Sequence, residues 1–277
     1  MKNILVPCDF SSAAINAYRL ALDIVAMSGG KVHVLNVIEL PYMPNTAFTP
    51  VRALGLPYIK EMSAKAKGNF EKIRGKYGPD CVRNAFRVAS GSPSSVILAF
   101  AKKNNIDLII MGSHGANAMR DFFVGSTTEK IVRTSSVPVI VVKTLYKGSL
   151  NNIVVPFSAE MESQDGLIQN IKSLQSFFKA HLHIVWVNTP ANFSPDDVTM
   201  KRITAMIKKY KIKNYTICIY NHLYEESGIL KYADSIDADM IAMGTHGRRG
   251  LSHMIHGSKT EQVARHGTSL IWTSVMN

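Results

Sequence analysis

The chain has 277 residues, 46% of them apolar and 19% charged, enough to bury a core and a length that suits two compact domains of roughly 100–200 residues each. No apolar run approaches the roughly 18 residues of a membrane-spanning helix, and the opening MKNILVPCDFSS passes from one lysine into a short strand and an aspartate, unlike a secretory leader. The formal charge of +12 raises polyanions as partners, but the Lys and Arg are spread along the chain, and no zinc-finger spacing or aromatic–basic interleaving marks a nucleic-acid reader. The expectation is a cytoplasmic protein with a solvated basic surface, no membrane contact and no specific nucleic-acid partner. Cys8, Cys81 and Cys218 share no metal-ligand spacing, which suits a reducing compartment.

In chain order, NILVP (residues 3–7) reads as a first strand, and Ala13, Ala14, Ala17, Leu20, Ala21, Ile24 and Val25 mark one face of a helix at spacings of three and four. Ser11 or Ser12 caps its start, and the SGG at 28–30 stops it. VHVLNV is strand two, and a helix from about Tyr58 to Tyr77 follows a Pro-rich excursion, Leu40 to Pro57, expected as a loop covering a ligand. VRNAFRVA is strand three. SGSP then opens a helix bearing Val96, Ile97, Phe100 and Ala101. LIIM is strand four, a helix begins near Ser126, and PVIVV is strand five.

The same order recurs. NILVPCDFSS answers to NIVVPFSAEM from Asn152, KVHVLNVIE to HLHIVWVN, NNIDLIIMGSHG to SIDADMIAMGTHG, and SSVPVIVV to HGTSLIWT. The division expected is one domain at residues 1–146 and another at 150–277, joined through TLYKGSLNN. Continuous apolar strands between amphipathic helices indicate parallel sheets covered on both faces, hence two Rossmann-like α/β domains of five strands each. Ligands of such sheets sit beyond the carboxyl ends of the strands, at a topological switch point.

Two stretches carry the chemistry. MGSHG and MGTHG, beginning at Met111 and Met243, are each followed by nine residues and then Gly-Ser. Gly112 and Gly115 remove side chains where strand four ends, and Gly125 and Ser126 stand where the next helix starts and its first amides lack partners. With the hydroxyls of Ser126 and Thr127 this makes a cradle for phosphate. Neither a Walker lysine nor a dinucleotide glycine fingerprint is present.

VPCDFS, NVIE and the G-x2-G-x9-G-[ST] spacing together resemble the universal stress protein family, across the whole chain as two tandem domains. The resemblance implies an ATP-binding, stress-response regulatory protein, with magnesium as an optional companion of the nucleotide. Its nucleotide-contacting roles fall to Pro7, Asp9, Val37, Met111, Gly112, Gly115, Gly125, Ser126 and Thr127. In the second copy Gly244, Gly247, Gly257 and Ser258 keep the loop, but Ser158 stands in the place of Asp9, and Arg248 and Arg249 enter the loop. That site is expected to hold AMP or phosphate, or to be empty. The two domains would form an internal pseudo-dimer, open to homodimerisation and to a protein partner. The rivals are a slow ATPase or adenylate-transferring enzyme, for which no base or acceptor site is identifiable, and a nucleotide-free scaffold.

Overall fold

The computed structural model describes residues 1–39, 51–79, 82–113, 125–158, 161, 164–245 and 269–275. The chain divides into two compact units and passes for the last time from the first to the second between Leu145 and Tyr146.

The first unit, apart from Val132–Ile140, which group with the second, runs through β1 (Asn3–Pro7), α1 (Ser12–Ser28), β2 (Lys31–Ile38), α2 (Val51–Tyr77), β3 (Arg83–Ser90), α3 (Pro93–Lys103), β4 (Leu108–Gly112), α4 (Ser126–Thr134) and β5 (Val139–Val142). Its strands lie in the order β3-β2-β1-β4-β5. The pairs β1–β2, β1–β4 and β2–β3 are parallel. The chain steps outward from β1 to β2 and β3, then returns to lay β4 on the other side of β1. This reversal opens a crevice at the carboxyl ends of β1 and β4. Ile4, Leu5, Val6, Leu108, Ile109 and Ile110 are wholly buried, as strands covered on both faces require.

Helix α1 begins and ends as its sequence dictates. The Ser11 side chain accepts from the Ala14 amide at 3.3 Å, and Gly29 takes the left-handed conformation (φ 64°) while its N–H closes on the Val25 carbonyl. Helix α2 departs from expectation. It starts at Val51 and carries Pro57 inside, so residues 51–57 of the predicted loop are helical. Pro57 costs the helix one amide donor, but Ala66, Phe70 and Ile73 anchor the element at spacings of four and three. Residues 40–50, the rest of the proposed covering loop, lie outside the described residues.

The second unit repeats the plan with β6 (Asn152–Pro156), α5 (Asp165–Phe178), β7 (His181–Asn188), α6 (Asp196–Tyr210), β8 (Tyr215–Asn221), α7 (Glu225–Ser235), β9 (Met240–Thr245) and β10 (Leu270–Val275). Its order is β10-β9-β6-β7-β8, with every one of these neighbouring pairs parallel. Both units are thus Rossmann-like α/β folds, as the alternating pattern predicts. The repeat extends to single hydrogen bonds. Asp107 accepts from the amides of Lys2 and Asn3 at 2.7 and 2.8 Å, and Asp239 accepts from those of Asn151 and Asn152 at 2.8 Å each. Each carboxylate satisfies the two donors that open its central strand. No helix among the described residues is long and apolar enough to cross a membrane.

Candidate functional site

In the first unit the ladder between β1 and β2 continues one residue past β1, where the Cys8 amide donates to the Leu35 carbonyl at 2.9 Å. Asn36 then turns its side-chain amide onto the Cys8 carbonyl at 2.8 Å and fixes the turn that leaves the sheet. Phe10 takes a positive φ of 66°, and the Asp9 carboxylate accepts from the Ser11 amide at 3.0 Å. Asp9 is thereby held at the mouth of the crevice, two residues before the cap of α1.

On the other wall, the Gly125 amide donates to the Ser113 carbonyl at 2.7 Å, and the Ser113 amide to the Val142 carbonyl at 2.9 Å. The Thr128 hydroxyl donates to the Gly112 carbonyl at 3.0 Å and pins the first turn of α4 to the end of β4. The first intrahelical bond of α4 runs from the Glu129 amide to the Gly125 carbonyl. The amides of Ser126, Thr127 and Thr128 precede that bond and open the helix beside the crevice.

Between these walls lies a cavity of about 520 Å³. Pro7, Cys8, Asp9, Leu35, Asn36, Val37 and Glu39 line one side; Met111, Gly112 and Gly125 to Thr128 line the other, with Ala14, Pro93 and Ile97 from α1 and α3 completing it. Its size falls within the range of small-molecule sites, roughly 300–1,000 Å³. The lining combines an apolar strip (Leu35, Val37, Ile97), two carboxylates (Asp9, Glu39) and a helix start, with no Lys or Arg among the described lining residues. Burial pushes the Cys8 thiol up to about 12, so the sulfur serves as an apolar wall and not as a nucleophile. The described residues contain no group of three or more His, Cys, Asp or Glu able to hold a metal ion.

The structure thus brings Pro7, Asp9, Val37, Met111, Gly112, Gly125, Ser126 and Thr127 around one cavity. Gly115, Gly247, Gly257 and Ser258 lie outside the described residues. Gly244 sits in β9, paired with Ser274 of β10. Gly112 has a second task that sequence spacing does not reveal. A methyl carbon placed on it would lie 2.8 Å from the Ala13 carbonyl carbon and Cβ, and 2.9 Å from the Ala14 nitrogen, so this glycine lets α1 rest directly on β4. Sequence reasoning also missed Asn36, Glu39 and Thr128. A lone amide in the apolar run VHVLNV, and the second threonine of GSTT, are the signals that could have found Asn36 and Thr128.

The second unit repeats the backbone of this crevice with different side chains. The Phe157 amide donates to the Val185 carbonyl at 2.8 Å, the counterpart of Cys8 on Leu35, so Phe157 stands where Cys8 does and Trp186 where Asn36 does. The two rings lie 6.2 Å apart and both are buried. The Trp186 indole N–H donates to Asn188 Oδ1 at 2.7 Å, and the same oxygen accepts from the Ser194 amide at 3.1 Å.

Comparison with known proteins agrees with this architecture. The family model described as "Universal stress protein family" matches residues 1–143 and 223–269. A universal stress protein of Methanocaldococcus jannaschii is 26% identical over 142 residues, 51% of this chain and 82% of that protein. A Staphylococcus aureus protein named for the same family is 31% identical over 144 residues, 52% of this chain and 84% of its own length. Among solved structures, a universal stress protein from Archaeoglobus fulgidus superposes with a TM-score of 0.74 at 22% identity, covering 99% of this chain and 98% of that one. A Pseudomonas aeruginosa protein of unknown function does so with a TM-score of 0.60 at 18% identity, covering 100% and 93%. The two superpositions speak to the fold.

Proposed function

The chain belongs to the universal stress protein family, and from that premise we propose that its first unit binds an adenine nucleotide, ATP foremost, and that occupancy sets the conformation offered to a protein partner under stress. We take residues 1–146 and 150–277 as the two domains. One observation carries the reading: a cavity of about 520 Å³ at the strand-order reversal, with the opening turn of α4 on one wall and an apolar strip on the other.

The residues present fit such a ligand. The amides of Ser126 and Thr127 and their hydroxyls suit phosphate oxygens, and the positive end of the α4 dipole favours negative charge there. Leu35, Val37 and Ile97 offer a face for a base, and Asp9 and Glu39 offer acceptors for ribose hydroxyls. Magnesium would be a fitting companion for the phosphates, and Asp9 is the carboxylate that could hold it in place of a ribose hydroxyl. When bound, the nucleotide supplies a signal in its phosphorylation state. The role is regulatory, and the site is cytoplasmic in this reading.

Calorimetric titration with Mg·ATP tests it. Binding is expected for the natural chain and is expected to disappear in Thr127→Asp, which places a carboxylate at the phosphate end. An acidic residue in the first turn favours the helix, so this variant should still fold. Absence of binding by the natural chain, or equal affinity in Thr127→Asp, would overturn the proposal.

A further inference from the structure

We infer that the second unit is closed to a nucleotide base by its own Phe157–Trp186 pair, so that the chain takes one adenine nucleotide and not two. The inference rests on the nucleotide reading of the first unit. The two crevices share one backbone register, since the Cys8 amide meets Leu35 and the Phe157 amide meets Val185 in the same way. What differs is the volume of the side chains mounted on it. The first unit has a thiol at Cys8 and a carboxamide at Asn36, and a cavity opens beside them. The second unit mounts a phenyl ring and an indole at those positions, packed against each other and 3% and 4% exposed.

Two further features hold the closure in place. Asn188 accepts from the indole N–H and from the Ser194 amide with one oxygen, tying the Trp186 ring to the segment that follows β7. Helix α7 also presses on the strand. A methyl carbon placed on Gly228 would lie 2.6 Å from a Val187 methyl and 3.0 Å from the His222 Cβ, so only a glycine permits this approach. The corresponding residue of α3 is Val96, which keeps its side chain. Val187, counterpart of the cavity-lining Val37, is buried beside it. Ser158 in place of Asp9 removes the carboxylate from the same edge. An aromatic pair with its hydrogen-bonded clamp thus stands where Cys8 and Asn36 line the first-unit cavity, and a closely seated helix covers the counterpart of Val37.

Calorimetric titration of the full chain with Mg·ATP, alongside Thr127→Asp with its fold checked by circular dichroism, reads the number of sites. One site per chain in the natural protein and none in Thr127→Asp is the expected result. Two sites, or one site that survives Thr127→Asp with unchanged affinity, would overturn the closure. No site in the natural protein would refute the first-unit reading while agreeing with a closed second unit, so the two failures are distinguishable.

Discussion

Gly112→Ala isolates the contact on which the crevice is built. The added methyl would lie 2.8 Å from two atoms of Ala13 and 2.9 Å from the Ala14 nitrogen, about 1 Å inside the optimal separation for such atoms. Backbone atoms of α1 make up two of those three neighbours, so no side-chain rotation relieves the overlap. Overpacking of this kind costs about 1–3 kcal/mol. At roughly 2–4 °C per kcal/mol for a unit of this size, the melting temperature should fall by about 2–12 °C. Gly68 supplies the matched control, because a methyl there meets nothing within 4 Å on α2. Gly68→Ala should therefore stabilise by about 0.5–1 kcal/mol through helix propensity and reduced chain entropy. Far-UV circular dichroism on heating and in urea measures both, and it is preferable to tryptophan emission because Trp186 and Trp272 both belong to the second unit. Equal stability of Gly112→Ala and the natural chain, or a loss in Gly68→Ala as large as in Gly112→Ala, would refute the close-approach argument. Since α1 begins three residues after Asp9, Gly112→Ala should also weaken nucleotide binding.

Removing the charged acceptor in Asp9→Ala should cost about 1.5–3 kcal/mol of binding, a loss of roughly 10- to 150-fold in ATP affinity by titration, with the β1–α1 turn loosened at Ser11. Trp186→Ala should destabilise the second unit by about 3–5 kcal/mol in urea titrations; a loss below about 1 kcal/mol would contradict the packed pair. His33 and His183 are both held below the ordinary histidine range, each chiefly by burial, with Lys31 and Arg87 adding to the effect at His33 and His181 at His183. Because the unfolded chain then takes up protons first, their contribution is complete above about pH 6.5 and is lost as the pH falls through their folded values. The urea midpoint should drop between pH 7.5 and 5, and a His33→Asn/His183→Asn variant should drop less; an equal drop would refute the assignment.

Much of this was readable from the chain because it is local. Ser11 as a cap, Gly29 as a stop and the start of α4 at Ser126 depend on neighbours a few residues away. The duplicated loop and Asp9 pointed to the crevice, and eight predicted residues line it. The rest depends on contacts between distant segments. Gly112 faces Ala13 across about a hundred residues of chain, and no spacing rule connects a strand-end glycine to a helix start so far away. The early start of α2 was hidden by Pro57, whose local penalty outweighs, on paper, a buried face lying further along the helix. Phe157 and Trp186 stand in the repeat as ordinary apolar residues, and no spacing between them tells that their rings meet across two strands.

The sulfur of Cys8 has a bearing on how this protein meets oxidants. With burial pushing its pKa up to about 12, the thiolate is a very minor form at neutral pH. That anion is the nucleophile that attacks peroxides and disulfides, so this cysteine is chemically quiet under the conditions that make many cysteine proteins change state. Cys8 is therefore a poor entry point for an oxidative signal.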